Sequence, residues 1–182
     1  MTRRMPNPWR LLITSIAHAN PYFRVRHDRV IRPDGRPGDY YVVETAANAG
    51  TVAVDGAGAV VLVGEWVYPV EAYGWSIPSG ALDPNEPPLA AAQRELREET
   101  GILADRWEPL GSFYLSQGMS TQVSHLFLAT GLREGAASPE GTEALEIARI
   151  PLEDAWARAC RGEYQDAVTL VGLTWARERL RR

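Results

Sequence analysis

The segment from Gly80 to Ile102 constrains this chain more than any other part of its sequence. Gly80 is followed by five residues and Glu86, then by seven residues and the run Arg94-Glu95-Leu96-Arg97-Glu98-Glu99-Thr100-Gly101-Ile102. At 3.6 residues per turn, Glu95, Glu98 and Glu99 fall on one side of a helix, within an arc of roughly 100°. Like charges three and four residues apart oppose helix formation by a few tenths of a kcal/mol per pair. A helix that stacks three carboxylates in this way calls for a cation among them, and hard divalent ions with oxygen ligands, above all Mg²⁺, suit that chemistry. A solvated helix with Arg94 paired to Glu98 would account for the charges. It would not account for Gly80 and Glu86 at their distances.

The local residues predict a loop, a helix and a stop. Ser79-Gly80-Ala81-Leu82-Asp83-Pro84-Asn85 is rich in turn formers. Pro87 and Pro88 suit a first helical turn, where a missing N–H is harmless. Leu89, Ala92 and Leu96 form an apolar stripe expected to pin the helix to a core, with Glu99 nearest to it. Gly101 stands where the helix is expected to end.

The pattern resembles the Nudix box, the signature of hydrolases of nucleoside diphosphates linked to another moiety. Gly80, Glu86, Arg94, Glu95, Glu98, Glu99 and Gly101 occupy its fixed positions, and Leu96 and Ile102 its aliphatic ones. The resemblance implies a mixed α/β fold: an α/β/α sandwich around a mixed sheet with an N-terminal β-rich extension. It extends through Tyr40–Glu44, Val61–Pro69, Trp75–Gly80, Leu115–Gly118 and Gly162–Ala167, which look like the ADP-ribose pyrophosphatase branch. That branch implies residues 1–45 as a dimerisation element of a homodimer and 46–182 as the hydrolase domain.

The chemistry implied is Mg²⁺-dependent (Mn²⁺ as a substitute) hydrolysis of the diphosphate bond of a nucleotide-sugar. By resemblance, Glu95 and Glu99 bind metal, Glu98 is a further ligand or outer-shell carboxylate, and the Ser79 carbonyl is another ligand. Arg94, with Glu86, orients the glutamates. A general base is expected from the later loop, Glu143 first and Glu140 second. Trp66, Tyr68, Tyr73 and Trp75 lie close together before the box and offer stacking surfaces for a nucleobase. Trp66, Tyr68, Trp75 and Gly118 are the substrate-binding candidates. Dinucleotides, nucleoside triphosphates and non-catalytic nucleotide sensing remain as alternatives. Four departures touch the substrate region: Val67 stands where the branch usually has arginine, Ser76 where it has glutamate, Gln117 where it has proline, and Ser120-Thr121-Gln122 replaces Ser-Asp-Glu.

Composition narrows the class. The net charge of −4 gives no bulk attraction to nucleic acid or anionic membrane. All 19 basic residues are arginine. The single cysteine, Cys160, excludes an internal disulfide and any cysteine-rich zinc site, and its helical surroundings suggest a packed or idle thiol. Arg3-Arg4 and Leu11-Leu12-Ile13 faintly mimic a signal peptide, but Thr14 and Ser15 break the apolar run and favour a first strand. No apolar run is long enough to span a membrane. A cytoplasmic enzyme is expected.

Further strands are predicted over Tyr22–Val30, Tyr40–Glu44, Thr51–Val54, Val60–Val63, Leu110–Leu115, Val123–Ala129 and Leu145–Ile150. Asp55-Gly56-Ala57-Gly58 signals a hairpin. Helices are predicted over Leu152–Arg161 and Asp166–Arg181.

Overall fold

Ten strands and three α-helices follow one another in the computed structural model, which describes residues 6–135 and 145–181. The chain divides into two units, Met1–Ala46 with Ser116–Gln122, and Ala47–Leu115 with Val123–Arg182.

The first unit is an antiparallel sheet in the order β1 (Arg10–Ala19), β2 (Phe23–Ile31), β3 (Pro37–Thr45). The Asn20 side chain closes the first turn by accepting from the amides of Tyr22 and Phe23, the local bonding that suits asparagine to turns. Gly35, at φ 80°, closes the second turn. Asp28 is buried in this sheet and accepts from Thr14 Oγ1 at 2.6 Å. Burial would raise its pKa, but the Thr14 hydroxyl and the Arg26 guanidinium outweigh that and hold the carboxyl low. The segment Ser116–Gln122 joins this unit through Val43, whose amide donates to the Met119 carbonyl, and Tyr40, whose hydroxyl donates to the Gly118 carbonyl at 2.7 Å. Every residue of β1 is exposed, Leu11, Leu12, Ile13 and Ile16 included.

The second unit carries two sheets. One has the order β7 (Ser79–Ala81), β4 (Asn48–Ala53), β9 (Val123–Glu134), β8 (Ile102–Tyr114), with β4 parallel to β9 and the other pairs antiparallel. The other has β5 (Ala59–Val67) between β10 (Glu146–Pro151) and β6 (Ala72–Ser76). The helices are α1 (Pro88–Thr100), α2 (Leu152–Cys160) and α3 (Ala167–Leu180).

Alternation along the strands builds two cores. Val52, Leu62 and Leu126 meet Leu173 and Ala176 of α3, whereas Ala53, Val61 and Ala129 meet Leu96 of α1. The expected mixed α/β architecture with helices on both sides is therefore what the chain forms. Strands β4 and β5 are apolar on both faces because both faces are covered.

Several local expectations change. The turn at Asp55–Gly58 forms, with Asp55 accepting from the amides of Ala57 and Ala59. Its flanking strands share only the bridge Val54–Val60 and then part into different sheets. A turn signal reports local backbone geometry, while strand pairing is decided by which partners cover which faces. Strands β6 and β7 lie in segments read as an aromatic cluster and a turn. In α1 the buried residues are Ala91, Ala92, Leu96 and Thr100, and Leu89 is exposed rather than part of the core. Cys160 is exposed rather than packed.

Candidate active site

Strand β7 and helix α1 bring the two ends of the motif together. Pro88 opens α1, and Gly101 ends it in the left-handed conformation, φ 69°, with its N–H donating to the Arg97 carbonyl. This is the backbone state that glycine adopts without steric penalty. The arc with Glu95, Glu98 and Glu99 adjoins the buried face of α1, so packing of that face holds the three acids beside β7. All three glutamates are half-buried. A Cβ on Gly80 would stand 2.0 Å from Glu95 Oε1 and 2.2 Å from its Cδ, so the carboxylate occupies the space glycine leaves. The Ser79 amide donates to Glu99 Oε2 at 3.2 Å.

Arg94 lies among the acids. Its Nε and Nη2 donate to the two oxygens of Glu86, both at 3.0 Å, a planar two-point pairing that suits guanidinium. Its Nη1 reaches Glu95 Oε1 at 2.7 Å and Glu98 Oε2 at 3.1 Å, and Nη2 also donates to the Ala81 carbonyl at 3.0 Å. The Glu86 carboxylate is the main reason the guanidinium is held protonated far above the ordinary arginine range, against the opposing effect of burial. In return, Arg94 and then the Asp83 amide pull Glu86 below the ordinary glutamate value. Glu86 is thus tied to the loop by the Asp83 amide at 2.9 Å and to the helix by Arg94. This is how residues eight apart come to act as one unit.

The donor set suits a hard divalent cation: carboxylates from Glu95, Glu98 and Glu99 and the nearby Ser79 carbonyl are all oxygen. Among the described residues, no three Asp, Glu, His or Cys side chains close into a ready-made metal cage. Mg²⁺ does not need one. It commonly uses one or two carboxylates and completes its shell with water and substrate phosphates. The Gly80 cradle, which leaves Glu95 room beside the β7 backbone, supports that kind of open site.

The other candidates are distributed more widely. Trp66 pairs with Tyr73, and Gly64 with Trp75, so Trp66, Tyr73 and Trp75 share one face of the β5–β6 hairpin. That face carries Leu62 toward α3, opposite the face carrying Val61 toward α1. Trp75 packs on the α3 core and meets Tyr73 edge to face, whereas Trp66 and Tyr68 are exposed. A cleft of about 410 Å³ at the β6 edge is lined by Val67, Tyr73, Trp75, Ser76, Glu163 and Asp166, among others, and among the described residues no arginine lines it. Gly118, Gln117 and Gln122 belong to the first unit. Glu143 and Glu140 lie outside the described residues. Sequence reasoning missed the Ala81 carbonyl, a backbone acceptor without any residue-type signal. It also missed Thr169, discussed below, which the spacing Asp166-x-x-Thr169 could have marked as a helix cap.

The fold and this site define a hydrolase of the Nudix class. The NUDIX domain family model matches residues 44–169, and the chain belongs to that family. Residues 9–43 match the nucleoside diphosphate sugar hydrolase N-terminal domain. The chain is 33% identical to an ADP-ribose pyrophosphatase of Mycobacterium tuberculosis over 159 residues, covering 86% of this chain and 77% of the relative. It is 28% identical to a methanol dehydrogenase activator of Bacillus methanolicus, covering 84% of this chain and 83% of that one. The crystal structure of an ADP compounds hydrolase superposes with a TM-score of 0.85 at 20% identity, covering 98% of this chain and 97% of the other, a likeness of fold.

Proposed function

We propose that this chain hydrolyses the diphosphate bond of a nucleoside diphosphate linked to a sugar, with Mg²⁺, giving a nucleoside monophosphate and a sugar phosphate. ADP-ribose is the first substrate to test, since the relative from Mycobacterium tuberculosis is named for it. The observation that carries the chemistry is the seating of Glu95 in the space left by Gly80, beside Glu98 and Glu99 on a packed helix. The match of residues 9–43 supports the nucleotide-sugar class.

Glu95, Glu99 and the Ser79 carbonyl are the proposed metal ligands, with Glu98 as a further ligand or outer-shell carboxylate. When bound, Mg²⁺ neutralises phosphate charge, lowers the pKa of water and orients in-line attack. Arg94, anchored by Glu86, keeps the glutamates in register. Glu143, or failing it Glu140, takes the proton from the attacking water. Attack at one phosphorus breaks its bond to the bridging oxygen, which leaves on the other phosphate, so two monophosphates result. Trp66, Tyr68, Trp75 and Gly118 are proposed substrate contacts. Val67 and Ser76 on the cleft wall set the specificity apart from enzymes with arginine and glutamate there.

A homodimer, built through the exposed apolar residues of β1, and a cytoplasmic location complete the reading. Among the described residues no helix is long and apolar enough to cross a membrane.

The test is a Mg²⁺-supplemented panel of ADP-ribose, GDP-mannose, ADP-glucose, NADH, diadenosine polyphosphates and nucleoside triphosphates, with products identified. Two monophosphates from a nucleotide-sugar are expected. Turnover of triphosphates or dinucleotides alone would overturn the substrate class. ADP-ribose binding without release of AMP would favour a sensor. Val67→Arg is expected to improve ADP-ribose use.

A further inference from the structure

Between Ser76 and Ser79 the chain crosses from the β10–β5–β6 sheet to the sheet that contains β7. At the crossing, Ile77 is fully buried and Pro78 has no N–H to give. The Ile77 amide therefore needs an acceptor from elsewhere, because a buried backbone donor is rarely left unpaired. Thr169 supplies it: the Ile77 amide donates to Thr169 Oγ1 at 3.0 Å. That hydroxyl is itself aimed by Asp166, whose Oδ2 accepts from both Thr169 Oγ1 and the Thr169 amide at 2.7 Å. Asp166 is the N-cap of α3, so the cap and the crossing strand share one hydroxyl. Thr169 is completely buried.

Two glycines allow this close approach. A Cβ at Gly172, one turn beyond Thr169, would lie 2.8 Å from Ile77 Cδ1. A Cβ at Gly50 would lie 2.9 Å from Val168 Cγ1 and 3.3 Å from Ile77 Cδ1. Gly50 is the residue paired with Ser79 across β4 and β7. The Thr51 amide holds the Pro78 carbonyl at 2.9 Å, and the Ser79 amide meets Glu99. Ile77–Gly80 is thus fastened from α3, β4 and α1 in succession.

We propose that Thr169, oriented by Asp166, is a positioning residue for the divalent-cation site: it fixes Ile77–Gly80 so that the Ser79 carbonyl and the Gly80 cradle present correctly to Glu95 and Glu99. This rests on the reading that these groups hold the cation. Thr169 acts from the opposite side of the sheet from α1 and is itself buried, while Asp166, which aims it, also stands on the wall of the cleft. Outer residues of this kind commonly change metal affinity by roughly 10–100-fold when replaced.

The test is Mn²⁺ binding to the full-length protein, followed by electron paramagnetic resonance, with Mg²⁺-dependent kinetics alongside. Thr169→Val keeps the shape and removes the acceptor; its Mn²⁺ Kd is expected to rise roughly tenfold. Activity should return largely at saturating Mg²⁺. Thr169→Ser should restore wild-type affinity, which a packing role for the methyl group would not. An unchanged Kd in folded Thr169→Val overturns the proposal, as does failure of Thr169→Ser to rescue. If Thr169→Val does not fold, Asp166→Ala carries the test, and an unchanged Kd there overturns the proposal. Wild-type protein that binds no Mn²⁺, or Glu99→Gln that binds it as wild type does, would instead overturn the metal-site reading beneath it.

Discussion

At position 80 the missing side chain matters more than any atom present, because Glu95 Oε1 stands 2.0 Å from where a Cβ would be. Gly80 lies in a short strand without a positive φ, so alanine can adopt its backbone and the conflict falls on the Glu95 carboxylate. Gly80→Ala should therefore fold while losing most turnover. Loss of even ~3 kcal/mol of the several kcal/mol that a metal contributes is about 100-fold in rate. Circular dichroism and kcat measured on the same preparation check both halves. Glu86 makes a pH prediction. Arg94 and then the Asp83 amide hold its carboxyl below 4.5, the ordinary glutamate value. As pH falls, the unfolded chain takes up this proton first, so the stability due to Glu86 is complete above the unfolded value and is lost through the lower folded one. Glu86→Gln should flatten the fall in unfolding free energy between about pH 5 and pH 3, measured by urea titration at each pH. Asp28, Glu44 and Glu153 are also held low, so part of the acid dependence will remain.

Helix α1 is the element in which sequence and structure agree most closely. Pro88 at its start and Gly101 at its stop were legible because both act through their own backbone, whatever the surroundings. Gly101→Ala would place a Cβ on a left-handed residue at a cost of about 1–2 kcal/mol. For a chain of this size the thermal midpoint should fall by roughly 2–4 °C for each kcal/mol, readable by scanning calorimetry. Strands β6 and β7 were not legible. They are five and three residues long, and β7 gains its identity from pairing with Asn48–Gly50, about thirty residues earlier. The Asp55–Gly58 turn shows the same limit from the other direction: its local signal was correct, and the pairing inferred from it was not.

For the whole molecule, the exposed strand β1 carries a prediction. Leu11, Ile13 and Ile16 are each more than half exposed, and long apolar strands left open at a sheet edge are prone to pair with other chains. The proposed homodimer uses this surface. Light scattering coupled to size exclusion should give the mass of two chains for the wild type and one for Ile13→Arg. A monomeric wild type would end that part of the reading.

By itself, the sequence determined the acidic helix, its boundaries, the Glu86–Arg94 association and the mixed α/β class. The helix and its boundaries depend on residues close in the chain and on a spacing tied to helical geometry, whereas the Glu86–Arg94 association and the fold class were implied by the resemblance to the Nudix box. Tertiary structure alone decided which strands share a sheet, that Glu95 fills the Gly80 space, and that Trp66, Tyr73 and Trp75 lie on the face of β5–β6 opposite α1. It also decided that Thr169, ninety-two residues away, accepts from Ile77. Those outcomes depend on contacts between segments whose separation along the chain carries no periodic signal. They form because buried backbone donors must find acceptors and apolar faces must find cover, wherever in the chain the partner stands.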